Sequence, residues 1–176
     1  MIELEISTHD FERVKQQIDA LEAGIKKKAN LAGLREIAKP LKASLQSTLP
    51  SLSGALRRSV GYKTLSKRRM SQVGIQDDDA LEVGTTRKAS DRSGKSRYQT
   101  YKMRFLEHGT GPHEIKARPG KFLKLRGGHF AKEVMHPGIN GRGYLRKVYD
   151  QHQGHMQGLF VKGAQAVLAK HGVVLI

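Results

Sequence analysis

Residues 105–149 read FLEHGTGPHEIKARPGKFLKLRGGHFAKEVMHPGINGRGYLRKVY, and the turn residues in this stretch decide how the chain is understood. Gly109, Gly111, Pro112, Gly120, Gly127, Gly128 and Gly138 separate three strand-like pieces at 114–117, 121–125 and 129–134. Glycine reaches backbone conformations closed to aliphatic residues, so such spacing predicts short strands joined by tight turns. On the N-terminal side, Tyr98, Tyr101, Phe105 and Leu106 lie at helical spacing and predict a short helix ending at Gly109. On the C-terminal side, Tyr144, Leu145, Val148, His152, Met156, Leu159 and Val167 predict a long helix over 144–172. Gly154, Gly158 and Gly163 each weaken that helix by up to about 1 kcal/mol relative to alanine, so packing must hold it.

Further out, residues 1–50 predict a strand and a helical region. Ile2, Leu4 and Ile6 alternate with Glu3 and Glu5, and Ser7 to Asp10 offer N-cap oxygens. Phe11, Val14, Ile18, Leu21 and Ile25 form one apolar stripe, and Leu31, Leu34, Ala38, Leu41 and Leu45 form a second. Pro40 falls inside the second stripe and is expected to kink the helix or start a new one, because proline lacks a donor and crowds the preceding turn. The middle, 51–143, reads as sheet and loops. A capped turn is expected at 53–59 and strands at 60–65, 71–75 and 81–84, with an acidic turn at 77–79. The polar run 85–98 reads as a flexible loop. The expected fold class is therefore α+β: a mixed or antiparallel sheet packed with a long N-terminal helix and a C-terminal helix, with extended basic loops. One domain over 1–176 is expected.

Composition narrows the function. Apolar residues are 38% and aromatics 6% of the 176, below the usual globular share, so some loops or arms are expected to need neighbours. There is no cysteine, which excludes disulfides, thiolate metal sites and cysteine nucleophiles. No apolar run approaches a membrane span or a signal peptide, so a soluble, cytosolically made protein with no membrane partner is expected. Lys+Arg number 32 against 16 Asp+Glu, a net charge of +16. Residues 1–50 contribute +1 of this, from 8 basic and 7 acidic side chains, so the excess lies beyond Pro50. Such a surface meets nucleic acid or an acidic protein ring.

Spacing argues against chemistry. The eight histidines include His108 and His113 around a Gly-Thr-Gly-Pro turn, with His129 and His136 seven apart, but none sits at the i, i+4 spacing of a helical zinc site. Asp77, Asp78 and Asp79 diverge in a turn rather than converge on a cation. Neither a phosphate loop nor a Gly-x-Ser-x-Gly elbow occurs. Catalysis, a metal and a cofactor are therefore not expected. The basic stretch Arg57, Arg58, Lys63, Lys67, Arg68 and Arg69 contains no acid, and 85–126 holds 12 basic against 3 acidic residues. Arg57, Arg58, Lys67, Arg68 and Arg69 are the candidate DNA-facing set, for non-specific phosphate contact. Stacking on single strands is disfavoured, because the tyrosines sit at core-like helical spacing rather than among the bases.

The order of the pieces carries a resemblance. Ser53-Gly54-Ala55-Leu56-Arg57-Arg58-Ser59 resembles the T/S-G-x-L-R-x-S step of the gene-product-ten-like neck and tail-completion proteins of long-tailed bacteriophages. Residues 101–112 resemble that family's Y-x-x-x-x-E-x-G-T turn, 113–118 and 122–125 its H-x-I-x-A and L-x-F strands, and 136–146 its H-P-G-x-x-x-R-P-F-L-R lead-in to the last helix. Gly143-Tyr144 replaces the usual Pro-Phe, removing a residue preorganised for a helix start. The loop 85–97 matches nothing in the family pattern.

The resemblance implies a structural virion protein of the neck. It would help join the DNA-filled head to the tail, or complete the tail's upper end, within a homo-oligomeric ring of six or twelve copies. Its neighbours would be head-closure or connector proteins and tail-terminator or tail-tube proteins, with non-specific contact to packaged DNA, after assembly in the host bacterial cytoplasm. The implied ring contacts are Arg87, Lys88, Arg92, Lys95, Arg97, His108, Thr110, His113, Arg118, Lys121, His136 and Arg142. The main rival is a non-specific DNA-binding protein of host or prophage, and a second is a basic toxin or ribonuclease-like enzyme.

Overall fold

The computed structural model describes residues 16, 18, 19, 21–50, 54–77, 79–90, 94, 96–125 and 127–173. The strand expected at 2–6, its N-cap at 7–10, Phe11, Val14, Ser53 and Asp78 lie outside them, as do Arg92, Lys95 and the side chains of Arg97 and Tyr98.

The longest element, α1, is the 26-residue helix Ala23–Thr48. Its Ala, Leu and Lys content favours helix, and it buries Ala29, Gly33, Ala38 and Leu45. Leu49 ends it in extended backbone before Pro50. No new helix starts at Pro40. The helix runs through Pro40 and is interrupted instead at Leu21 and Glu22. A mid-helix proline costs about 3 kcal/mol relative to alanine, but α1 is packed on both sides of it. One apolar cluster, Ile18, Ala29, Ala164 and Leu168, lies toward its start. The other, Leu45, Leu49, Leu56, Val60, Met103, Tyr144 and Val148, lies toward its end.

Three short elements follow: α2 (Ala55–Ser59), β1 (Gly61–Thr64) and α3 (Lys67–Gln72). The strand expected at 71–75 is wrong, because 71–72 close α3 and 73–74 form a turn. Ser66 caps α3 by accepting a hydrogen bond from Arg69 N at 3.3 Å, and Met70 is its buried anchor. Strand β2 (Leu81–Gly84) pairs antiparallel with β1, Tyr62 opposite Val83.

The loop expected over 85–98 contains a hairpin, β3 (Lys88–Ser90) with β4 (Ser96–Tyr98). Burial explains the departure. Ala89 is buried, and the buried Gln99 amide donates to Ala89 O at 3.2 Å. Arg58 Nη2 donates to Ser90 O at 3.0 Å, tying the hairpin to α2.

Helix α4 (Thr100–His108) ends at Gly109 as expected, though its buried residue is Met103. Tyr101 and Phe105 form an edge-to-face pair and are 44% and 43% exposed. From Gly109 the chain runs out and back as a nested ribbon. Strand β5 (Gly109–Thr110) pairs with β10 (Ile139–Asn140), β6 (His113–Lys116) with β9 (Glu133–His136), and β7 (Leu123–Lys124) with β8 (Phe130–Ala131). One register runs through the first two ladders and places Pro112 across from Pro137, where neither has an amide hydrogen to give. Residues 118–122 loop out before the last ladder. Strands β6 to β9 chiefly contact one another rather than the helices.

The described strands therefore form five two-stranded antiparallel ladders in place of one continuous sheet. The fold class is α+β, with a long N-terminal helix, a C-terminal helical region and small antiparallel sheets.

The C-terminal region is two helices rather than one. Helix α5 (Tyr144–His152), a 3-10 turn (Gln153–His155) centred on Gly154, α6 (Met156–Leu168) and a second 3-10 turn (Ala169–His171) follow in line. Helix α6 lies along α1, and small residues set their distance. A Cβ on Gly163 would lie 2.6 Å from Ala32 O and 2.8 Å from Gly33 Cα.

Candidate functional site

The sequence motifs converge at the root of the ribbon. Helix α5 starts at Gly143, in left-handed backbone (φ 57°) and with no side-chain cap of its own. Glu107, at the end of α4, supplies the missing acceptor across the fold: Oε2 accepts from Leu145 N at 2.8 Å and Oε1 from Arg146 N at 3.2 Å. A carboxylate there meets two free helix amides and the positive end of the helix dipole. The backbone adds Arg142 N donating to Leu106 O at 2.8 Å and Gly143 N to Glu107 O at 3.3 Å. Glu107→Ala is therefore expected to lower stability by about 1–2 kcal/mol, the usual cost of a lost cap. Urea titration of the full chain measures it, and a midpoint equal to wild type would refute the capping role.

Glycines allow this approach. A Cβ on Gly141 would lie 2.6 Å from Glu107 O and His108 C, and one on Gly109 2.6 Å from Gly141 N. Thr110 Oγ1 accepts from Ile139 N at 3.2 Å. Just beyond, His113 and His136 face each other across the ladder with rings stacked at 5.0 Å. His136 Nδ1 accepts from Gly138 N at 3.0 Å, and His113 Nδ1 lies 3.0 Å from Gly111 O. Among the described residues, no three His, Cys, Asp or Glu could jointly hold a metal ion. Beside the root lies a cavity of about 400 Å3, lined by Pro50, Leu106, Ile139, Asn140, Arg142 and Tyr144.

The expected contact residues divide by place. His108, Thr110, His113, His136 and Arg142 surround the root, with only Thr110 and His136 half-buried. Arg87 and Lys88 are exposed at the β3–β4 hairpin, and Arg97 is in β4 opposite Ala89. Arg118 and Lys121 are exposed far out on the ribbon.

The candidate DNA-facing set divides between α2 and α3. Arg57 is half-buried, with Nε donating to Leu49 O at 2.6 Å and Nη2 to Ser47 O at 3.3 Å, so it satisfies carbonyls at the end of α1. Arg58 holds Ser90 O. Lys67, Arg68 and Arg69 are exposed on α3.

Two features had little sequence signal. The cap by Glu107 spans 38 residues to Leu145. A basic cleft between α1 and α6 gathers Arg35, Lys39, Lys162 and Lys170 around Tyr62 and Glu36. In it, the hydrogen bond that the Lys39 ammonium donates to the Glu36 carboxylate, aided by that group's charge, holds the ammonium above the usual lysine range.

No described helix is long and apolar enough to cross a membrane. The family model described as "Bacteriophage HK97-gp10, putative tail-component" matches residues 12–109, so its match ends where the ribbon begins. No curated protein and no solved structure matches the chain significantly.

Proposed function

Because the chain belongs to the HK97-gp10-like family of bacteriophage tail components, which places it in the virion, we propose that it acts in the neck. There it joins the DNA-filled head to the tail or completes the tail's upper end, as one unit over 1–176 within a homo-oligomeric ring of six or twelve copies. Its neighbours in this reading are head-closure or connector proteins above and tail-terminator or tail-tube proteins below, and assembly takes place in the host bacterial cytoplasm. The role is structural and uses no catalysis.

The observation that carries this reading is where the chain leaves apolar surface uncovered. Tyr101, Phe105, Met135 and Ile139 are 41–67% exposed around the ribbon and its root, beside the apolar cavity at Leu106 and Tyr144. Apolar surface gathered in one region marks a protein contact. In this reading His108, Thr110, His113, His136 and Arg142 frame the contact with the adjacent copy. Arg87, Lys88 and Arg97 extend it from the β3–β4 hairpin, and Arg92 and Lys95 are assigned to the same contact from the sequence.

Disrupting the gene in its phage is expected to leave filled heads and separate tails that do not combine into infectious particles. Electron microscopy of the lysate reads this directly, and normal particles would overturn the reading. A non-specific DNA-binding protein is the alternative. It is favoured if the isolated chain binds duplex DNA tightly and is absent from virions.

A further inference from the structure

The outer ribbon has a composition unlike the rest of the chain. Residues 117–132 carry Arg118, Lys121, Lys124, Arg126 and Lys132 with no carboxylate. The two glutamates of the ribbon, Glu114 and Glu133, lie inward of this segment and pair with Lys116, at 3.0 and 4.0 Å. Arg118, Lys121, Lys124 and Lys132 are all exposed. Two aromatic rings stand among them: Phe122 is 60% and Phe130 66% exposed. The tyrosines sit at helical spacing away from the basic runs, whereas these two phenylalanines stand among basic residues.

We propose that residues 117–132 are a DNA-contacting finger that grips the backbone of duplex DNA through Arg118, Lys121, Lys124 and Lys132, with Phe122 and Phe130 as its apolar contacts. The proposal rests on the reading that this subunit sits where DNA passes, and it moves the DNA contact from α2 and α3 to the ribbon. Charge selects the occupant. A second copy carries +16 itself, whereas a duplex presents one negative charge per roughly 1.7 Å of axis. Shape agrees, because a two-stranded ribbon enters a major groove about 12 Å wide. In that groove, exposed phenylalanines find apolar contact in the methyl groups of thymine. By contrast, Arg57 and Arg58 on α2 each hold a backbone carbonyl of their own chain.

The test is fluorescence anisotropy of the full chain with a labelled 30-base-pair duplex across a salt series. Lys121→Ala with Lys124→Ala is expected to weaken binding roughly tenfold per lysine at 0.1 M salt. It should also flatten the log–log salt slope by roughly 0.9 per lost contact. Phe122→Ala with Phe130→Ala is expected to weaken binding and keep the slope. Arg68→Ala with Arg69→Ala serves as the comparison and is expected to change binding less than either. All the replaced side chains are exposed, and circular dichroism melts confirm equal folding.

Wild-type binding that survives the finger variants but falls with the α3 variant overturns the proposal and leaves the DNA-contact reading standing. No wild-type binding at any salt overturns both. Finger variants that keep DNA affinity but lose self-association, seen by light scattering, assign the finger to a second copy and also overturn it.

Discussion

Gly109→Ala is expected to cost roughly 2–6 kcal/mol and to lower the melting temperature by about 5–15 °C, because two separate penalties fall on one residue. The backbone there has φ 79° and ψ −173°, a region essentially confined to glycine, and holding another residue in it costs about 1–3 kcal/mol. The added Cβ would also lie 2.6 Å from Gly141 N and 3.2 Å from Asn140 C. Those are main-chain atoms between two helices and cannot swing aside as a side-chain end does, so overpacking adds about 1–3 kcal/mol. Differential scanning calorimetry of the full chain is the measurement. A melting temperature within 2–3 °C of wild type, the rough equivalent of 1 kcal/mol at this size, would show that the root can relax and is not the close-packed joint described.

Gly163→Leu is expected to be comparably damaging, by about 3–5 kcal/mol, through a different route. Here the backbone is ordinary helix, so conformational strain plays no part. The Cβ would meet Ala32 O at 2.6 Å and both Gly33 Cα and Glu36 Cγ at 2.8 Å. The rest of the leucine must then push α6 off α1. That separation opens the cluster of Ile18, Ala29, Ala164 and Leu168, which Phe160 and Val167 cover. Gly154→Ala provides the contrast, since a Cβ there meets nothing within 4 Å. It is expected to be neutral or stabilising by up to about 1 kcal/mol. Chemical denaturation of the two variants beside wild type separates the cases. A gain at both positions would mean helix propensity, not interhelical distance, governs these glycines.

Periodicity made the helices legible and left their partners unread. The stripes along 31–45, the helix ending at Gly109 and the strands at 61–64 and 81–84 all follow from residues close in sequence, where local spacing and caps act directly. Pro40 does not start a new helix because the apolar clusters on both sides of it outweigh the local cost of the proline. Residues 71–75 misled because alternation over a few residues also fits the end of a helix, and the decisive burial of Met70 has no local signature.

The 85–98 stretch looked too polar to order. One small side chain, Ala89, and the buried amide of Gln99 suffice to fix its hairpin.

At the root, the individual residues of the motif were visible while their meeting was not. Gly109 and Asn140 lie opposite one another across a ladder, and Glu107 reaches the amides of Leu145 and Arg146. Glycines that read as separators between strands of a sheet turn out to admit one main chain against another. Solvent exposure was the hardest property to foresee. Tyr101 and Phe105 have the spacing of core residues, yet they face outward because Met103 and Leu106 take the buried side of α4.

The opposed prolines give the ribbon a mechanical character. Below them it is bonded to the helices, above them it is a stiffer two-stranded rod, and between lies a rung where Pro112 and Pro137 have no amide hydrogens to lose. Bending at that rung sacrifices no hydrogen bond from either proline, so it is the rung where a change of angle costs the ladder least. A ribbon jointed there needs less energy to change its angle than one bonded at every rung, which would let identical copies fit surroundings that are not identical.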